Sequence, residues 1–168
     1  MSLKKSLLLT VLPILAAAAP SFAGQTSTAL GQPIRLNCPQ GTTQKGDKVS
    51  KDSGVFCVKP GAGKEFKLHG PYVDFWPNGQ KQSEGAYQEG FQVGLWSFWN
   101  TEGVKTSEIE FVRGNYHGKR VLYFSNGKPR IVEEYANGKR NGLVQEFSED
   151  GKLVRQAQYR DDKQVAEK

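Results

Sequence analysis

The sequence predicts an all-β protein, an elongated antiparallel meander of four β-hairpin repeats with a small disulfide-linked β module before them. Glycines recur every 24 residues in two rows, which are Gly70, Gly94, Gly118 and Gly142, and Gly79, Gly103, Gly127 and Gly151. Aromatic residues keep the same step in two further rows, which are Phe75, Trp99, Tyr123 and Phe147, and Tyr87, Phe111, Tyr135 and Tyr159. A fixed period of this length indicates a repeat architecture in which each unit packs on its neighbours.

The first 23 residues are predicted to be a secretory signal peptide. Lys4 and Lys5 precede an apolar run at 7–19, and small residues at Ser21 and Ala23 suit a cleavage site. The apolar run is too short to span a membrane. We therefore expect cleavage near Ala23, no transmembrane span, and a periplasmic or extracellular location.

Residues 24–33 are small and polar and are predicted to be a disordered linker. Residues 34–68 are predicted to be a separate module, with strands at 34–38 and 55–58 around a polar loop.

Cys38 and Cys57 are the only cysteines in the sequence. An even number in an exported chain predicts a disulfide, with free or redox-active thiols and a metal site as the alternatives. A metal site needs further ligands, and His69 and His117 lie at unrelated repeat positions. We therefore predict neither a metal nor a cofactor.

The repeat region is predicted at 69–164, followed by a tail at 165–168. The four units are 70–93, 94–117, 118–141 and 142–165. Each reads as strand, turn, strand and linking turn, and short linking turns are predicted near Gly90, Gly114 and Gly138. The fourth repeat has Asp162 at that position, as expected of a terminal repeat without a successor.

The first turn of each repeat is predicted to be a type I turn followed by a glycine bulge. Pro77 suits the second position of a type I turn, Asn100 suits the first, and Glu102 is unfavourable where a type I′ turn needs positive φ. The bulge changes the parity of the hairpin by one residue. The Phe75 row and the Tyr87 row are therefore predicted to share one face of the sheet.

The repeat resembles the bacterial MORN-repeat variant, found in proteins described as antitoxin component, YwqK family. The residues that carry the resemblance are the glycine and aromatic rows, and the match is best over 68–81. Arg120 and Val144 depart from the pattern, which prefers Tyr or Trp there. The resemblance implies a scaffold or contact surface and says little about activity.

A candidate binding surface follows from the predicted second face, which changes from aromatic to basic along the repeats. Its residues are Tyr72, Trp76, Trp96, Phe98, Arg120, Phe124 and Arg130. Phe91 and Tyr116, near the linking turns, are expected to extend one surface or the other. Exposed aromatic residues at this density suggest a contact surface. The alternative is that residues 34–68 fold over the aromatic part as a second core.

Catalysis is not predicted. Glu84 and Glu108 share one repeat position and Glu110 and Glu134 another, and such regular spacing is typical of solvated or cross-strand paired carboxylates. The net charge is +6, or +4 without Lys4 and Lys5, which is too mild and too dispersed for a nucleic-acid binder.

The sequence thus predicts an exported, non-catalytic binding or scaffold module whose partner is another protein or an envelope component, including a lipid headgroup surface. The resemblance supplies a second hypothesis, an antitoxin-like immunity protein that neutralises a toxin by occlusion. A hydrolase of cell-wall polymers is the third.

Overall fold

The computed structural model describes residues 30–63 and 65–165, and in this part of the chain all regular structure is β. The predicted signal peptide and residues 24–29 lie outside the described residues. Eleven strands form one open antiparallel sheet in chain order. They are β1 (Thr43–Lys45), β2 (Val55–Pro60), β3 (Phe66–Phe75), β4 (Lys81–Gln88), β5 (Phe91–Trp99), β6 (Lys105–Val112), β7 (Asn115–Tyr123), β8 (Pro129–Ala136), β9 (Lys139–Phe147), β10 (Leu153–Arg160) and β11 (Lys163–Gln164).

The predicted fold class is confirmed, since β3 to β10 are the four hairpins of a meander. The sheet is longer than the eight predicted strands, because β2 pairs with β3 and β11 pairs with β10. The predicted boundary at 68/69 falls inside β3, so the N-terminal segment and the repeats share one sheet.

Residues 30–50 form an arm that lies beside the start of the sheet, and we call this segment the N-terminal arm. Its predicted strand at 34–38 is wrong. The side chain of Gln44 takes the place of a pairing strand, because its Oε1 accepts the N–H of Leu36 and its Nε2 donates to the carbonyl of Ile34, each at 2.8 Å. Backbone bonds between 31–34 and 47–49 also hold the end of the predicted linker, so disorder is wrong for residues 31–33.

The predicted disulfide is confirmed. Cys38 of the arm and Cys57 of β2 are bonded, with their Cα atoms 5.6 Å apart. The bond ties the arm to the sheet.

The first turn of each repeat has the predicted hydrogen bonds of a type I turn with a glycine bulge. In the first repeat, the N–H of Gly79 donates to the carbonyl of Trp76 at 2.8 Å, and the N–H of Trp76 donates to Gln80 at 2.7 Å. Gly79 has a φ of 85°, which glycine adopts without a steric penalty. Equivalent bonds close the other three turns.

A second bulge follows each turn and cancels the change of parity that the first bulge causes. Phe75 pairs with Lys81 but Asp74 pairs with Ser83, so Gln82 is an extra residue in β4. Thr106, Arg130 and Val154 are the equivalent extra residues in the later hairpins. Two bulges restore the original parity. The prediction that the Phe75 and Tyr87 rows share a face is therefore wrong.

One face of the sheet, which we call the first face, carries a continuous column of aromatic rings. Trp96 lies at its centre and is 2% exposed. Its ring centroid is 5.1 Å from that of Tyr87, 5.5 Å from that of Tyr72 and 6.1 Å from that of Phe111. The column continues through Tyr116 and Tyr135. These rings and Ile109 form one of the two cores.

The other core lies on the opposite side of the sheet, which we call the second face. There Val73 and Phe75 pack with Val49 and Val55, and Ile34 and Leu36 of the N-terminal arm cover them. The arm thus lies on the side opposite to Tyr72 and Trp96. Alternation along β3 places Val73 and Phe75 on the side of the arm and Tyr72 on the other side. Of residues 34–68, Phe56 of β2 stacks on Tyr72, with ring centroids 5.9 Å apart, so the alternative in which this segment covers the aromatic residues is correct only for that contact.

The linking turns are two-residue loops with positive φ at both positions. Glu89, Arg113, Asn137 and Asp161 have φ between 47° and 55°. Three of these residues are followed by glycine, and Asp161 is followed by Asp162 with a φ of 66°. The fourth repeat therefore keeps its linking turn, with Asp162 in place of glycine, and leads into the two-residue strand β11.

Candidate partner-binding surface

The structure distributes the residues of the predicted aromatic-to-basic surface over different environments. Trp96 is core, so the prediction that it contacts a ligand is wrong. Tyr72 is half-buried, and burial, with the nearby carboxylate of Asp74, raises the pKa of its phenol to about 12. Phe98 is half-buried and stacks beside Trp96 at 6.2 Å. This half of the first face is filled by the protein itself.

Arg120 takes the repeat position of Tyr72 and Trp96 and forms an ion pair within the first face. Its Nη1 donates to Glu133 Oε2 at 2.6 Å, and the Glu133 carboxylate is almost fully buried. Burial alone would lower the pKa of Arg120, but the bond to Glu133 outweighs it and raises the pKa. We therefore assign a structural role to this largely buried ion pair.

Trp76, Phe124 and Arg130 lie at the turn end of the hairpins. The Nε1 of Trp76 donates to the carbonyl of Trp99 at 2.9 Å, so this indole links the first repeat to the second. Phe124, two repeats later, is half-buried. Arg130 is exposed and is the extra residue of its bulge. The structure thus separates these three side chains from the ring column.

The repeated carboxylates have structural partners. Glu108 accepts hydrogen bonds from Tyr123 Oη at 2.6 Å, from Lys105 Nζ at 2.5 Å and from Ser97 Oγ at 3.2 Å. Burial alone would raise the pKa of Glu108, but these hydrogen bonds lower it. Glu84 pairs with Lys81 at 2.6 Å.

The second face carries an exposed apolar patch on the second hairpin, formed by β5 and β6. We call Phe91, Val93, Leu95 and Val112 the apolar strip. Phe91 and Leu95 are each 55% exposed and Val112 is 51% exposed. Two grooves of about 410 and 390 Å³ share Val93 and Leu95 in their walls. Large exposed apolar side chains that adjoin in this way indicate an interaction site.

The following repeat shows that the fold does not require apolar residues there. Asn115, His117 and Lys119 occupy the repeat positions of Phe91, Val93 and Leu95, and the backbone forms the same hairpin. The apolar character of the strip is therefore a property of the second hairpin and not of the repeat fold.

The strip begins where the cover of the N-terminal arm ends. Leu36 of the arm lines one groove together with Val73, Val93 and Leu95. The arm shields the second face of the first repeat, and the apolar surface continues beyond it without a cover among the described residues.

Sequence reasoning missed the strip, although a signal was available. Phe91 was expected to extend a surface, but Val93, Leu95 and Val112 were not singled out. Comparing each repeat position with its equivalent 24 residues later would have found three apolar-to-polar changes in one strand. With a single bulge in each hairpin, the candidate binding surface is predicted on the other face.

The geometry thus defines a protein of stacked β-hairpin repeats with a surface suited to binding. The family described as MORN repeat variant matches at residues 68–89, 116–137 and 140–161. Three of the four repeat units therefore match this repeat family. The second repeat, which the family match omits, forms the same hairpin as the others.

Other comparisons add little. No curated protein matches the chain. A solved structure of the Glycosylation Associate Protein (Gap123) complex from Streptococcus agalactiae is similar, with 17% sequence identity and a TM-score of 0.39 over 73% of this chain and 22% of that chain. This chain therefore spans about a fifth of the length of that one. Within the described residues, no helix has the length and apolar character to cross a membrane.

Proposed function

We propose that the protein is an exported, non-catalytic binding module that docks a partner protein on the apolar strip. The observation that carries this proposal is the strip itself, exposed at positions where the next repeat has Asn, His and Lys. The disulfide and the leader-like residues 1–23 support export. Burying the strip in a complex would remove about 25 cal/mol of unfavourable hydration per Å² of apolar surface.

The test is an affinity purification from an envelope extract of the source cells, with partners identified by quantitative mass spectrometry. The wild-type protein is compared with a Phe91→Asn/Leu95→Lys double variant. Both substitutions introduce the residue that stands 24 positions later, so the hairpin should fold, and the apolar surface is replaced by a polar one that carries an added positive charge. We expect at least one protein to be enriched by the wild type and absent from the variant.

The control is a Phe124→Ala/Arg130→Ala variant, which alters the turn end of the hairpins and leaves the strip intact. We expect it to retain the same partner. A partner that is lost from this control and kept by the strip variant would assign binding to the predicted turn-end residues and refute the role of the strip.

The two other hypotheses rest on the sequence alone. No contact among the described residues favours an antitoxin-like protein or a hydrolase over a general binding module. A toxin identified as the strip-dependent partner would convert the proposal into its antitoxin-like form.

A further inference from the structure

The first glycine row marks four equivalent places on the second face. Gly70, Gly94, Gly118 and Gly142 all have positive φ, with values of 113°, 67°, 72° and 133°. The space above Gly94 compares most directly with that above Gly118, because the φ values of these two glycines are nearly the same.

Three of these places are covered by the protein itself. Pro39 and Cys57 pack over Gly70, where a Cβ atom would lie 2.6 Å from Pro39 Cδ. The carboxylates of Glu110 and Glu134 lie over Gly118 and Gly142. Glu134 Oε2 also accepts the backbone N–H of Leu143, the residue after Gly142, at 3.0 Å.

The fourth place is vacant. Apart from Gly94 and its chain neighbours Val93 and Leu95, no heavy atom lies within 4 Å of the Cβ position above Gly94. The cause is visible in the sequence, since Ala86 stands where the two later repeats have Glu110 and Glu134. The vacancy opens into the groove of about 410 Å³ that Val93, Leu95, Val112 and Arg113 line.

We propose that the partner protein supplies the missing group, an aspartate or glutamate side chain that enters the groove over Gly94. The backbone N–H of Leu95 is the equivalent of the donor that Glu134 engages at Leu143. The wall of the groove carries both Arg113 and Glu110. The Glu110 carboxylate lies over Gly118, and Arg113 supplies a positive charge that offsets it. The apolar strip contacts the apolar residues that flank the acidic residue of the partner. Charge-assisted hydrogen bonds are stronger than neutral ones. This inference rests on the proposed function and adds the chemistry of the partner.

The test follows the backbone amides of the ¹⁵N-labelled protein by NMR during titration with two peptides. The probes are acetyl-Leu-Glu-Leu-amide and its Gln counterpart, which differ only in the charge. We expect the Glu peptide to move the Leu95 amide proton downfield. We also expect it to bind about fivefold more tightly than the Gln peptide, which corresponds to about 1 kcal/mol for the hydrogen bond between the carboxylate and the Leu95 N–H. Equal affinities, or no response of Leu95 to either peptide, would overturn the inference.

An internal variant gives an independent readout. In Ala86→Glu, the carboxylate of the later repeats is installed over Gly94, so the Leu95 amide should lie downfield before any peptide is added. The variant should remain folded and should lose the preference for the Glu peptide. Ala86→Gln fills the same space with a neutral acceptor, so it should move the Leu95 amide downfield less than Ala86→Glu does. An unchanged amide in Ala86→Glu would contradict the proposed geometry.

The Phe91→Asn/Leu95→Lys variant separates the two proposals. In one outcome, the variant binds both peptides more weakly by the same factor, and the wild-type protein binds the Glu and Gln peptides with equal affinity. The strip then binds partners, and only the carboxylate inference fails. If the variant binds both peptides as well as wild type does, the strip itself is not the docking surface and the proposed function fails.

Discussion

At the residue scale, Gly85 determines where the largest ring of the protein can lie. A Cβ atom at this position would meet the indole of Trp96, 2.6 Å from its Cγ. The indole therefore lies directly on the backbone of β4, and its Nε1 donates to the carbonyl of Ala86 at 3.2 Å. Ile109, Glu133 and Ala157 take the place of Gly85 in later repeats, where smaller or charged residues replace the tryptophan.

We expect Gly85→Ala to destabilise the protein by about 1–3 kcal/mol, because the new methyl group displaces the Trp96 indole from its position against the backbone of β4. Chemical denaturation followed by Trp fluorescence measures the change. A Gly85→Ala/Trp96→Leu double variant should show a smaller added cost of the Gly85 change than the wild-type background does, since the clash is gone. An identical cost in both backgrounds would show that the indole does not set the requirement for glycine.

At the scale of the hairpin, two bulges act against each other. The turn bulge has a chemical signature in Pro77, Asn100 and the glycine that follows. The second bulge falls on Gln82, Thr106, Arg130 and Val154, which share no side-chain property. The repeat period, the eight strands of the four hairpins and the turn type were therefore predictable from sequence, whereas the parity of each hairpin and the additional strands of the sheet were not. The second bulge, one unpredicted extra residue in each hairpin, places Trp96 in the core and not on the predicted binding surface.

Deleting Thr106 should test the second bulge directly. With one bulge left in the second hairpin, pairing would turn Ile109 and Phe111 away from the ring column, at a cost of about 1.5–3 kcal/mol for each side chain exposed. We expect loss of cooperative thermal unfolding, monitored by near-UV circular dichroism. Thr106→Ala keeps the residue count and removes one exposed hydrogen bond to Phe98, so it should change stability by about 1 kcal/mol or less. A deletion variant as stable as Thr106→Ala would disprove the role of the bulge.

At the scale of the whole molecule, the two faces are stabilised by different means. The first face is covered by aromatic rings from successive repeats, and each ring packs on rings of the adjacent repeat. The second face is closed in the first repeat by the N-terminal arm, which one disulfide and the side chain of Gln44 hold. Beyond the arm, the second hairpin presents the apolar strip, whereas the third has Asn115, His117 and Lys119 at the equivalent positions. The end of the arm thus sets the place at which a partner can continue the cover.

A Cys38→Ser/Cys57→Ser variant should therefore weaken the molecule locally. The cysteines are 19 residues apart, and opening a loop of this size costs about 3 kcal/mol on the chain-entropy account. Repeat proteins lose stability from the perturbed unit outward, because each unit contacts only its neighbours. Amide hydrogen exchange should accelerate in β2 and β3 and stay slow in β7 to β10, and reduction of the wild-type protein should reproduce this pattern. Equal acceleration in all strands would instead show that the arm and the four repeats unfold as a single cooperative unit.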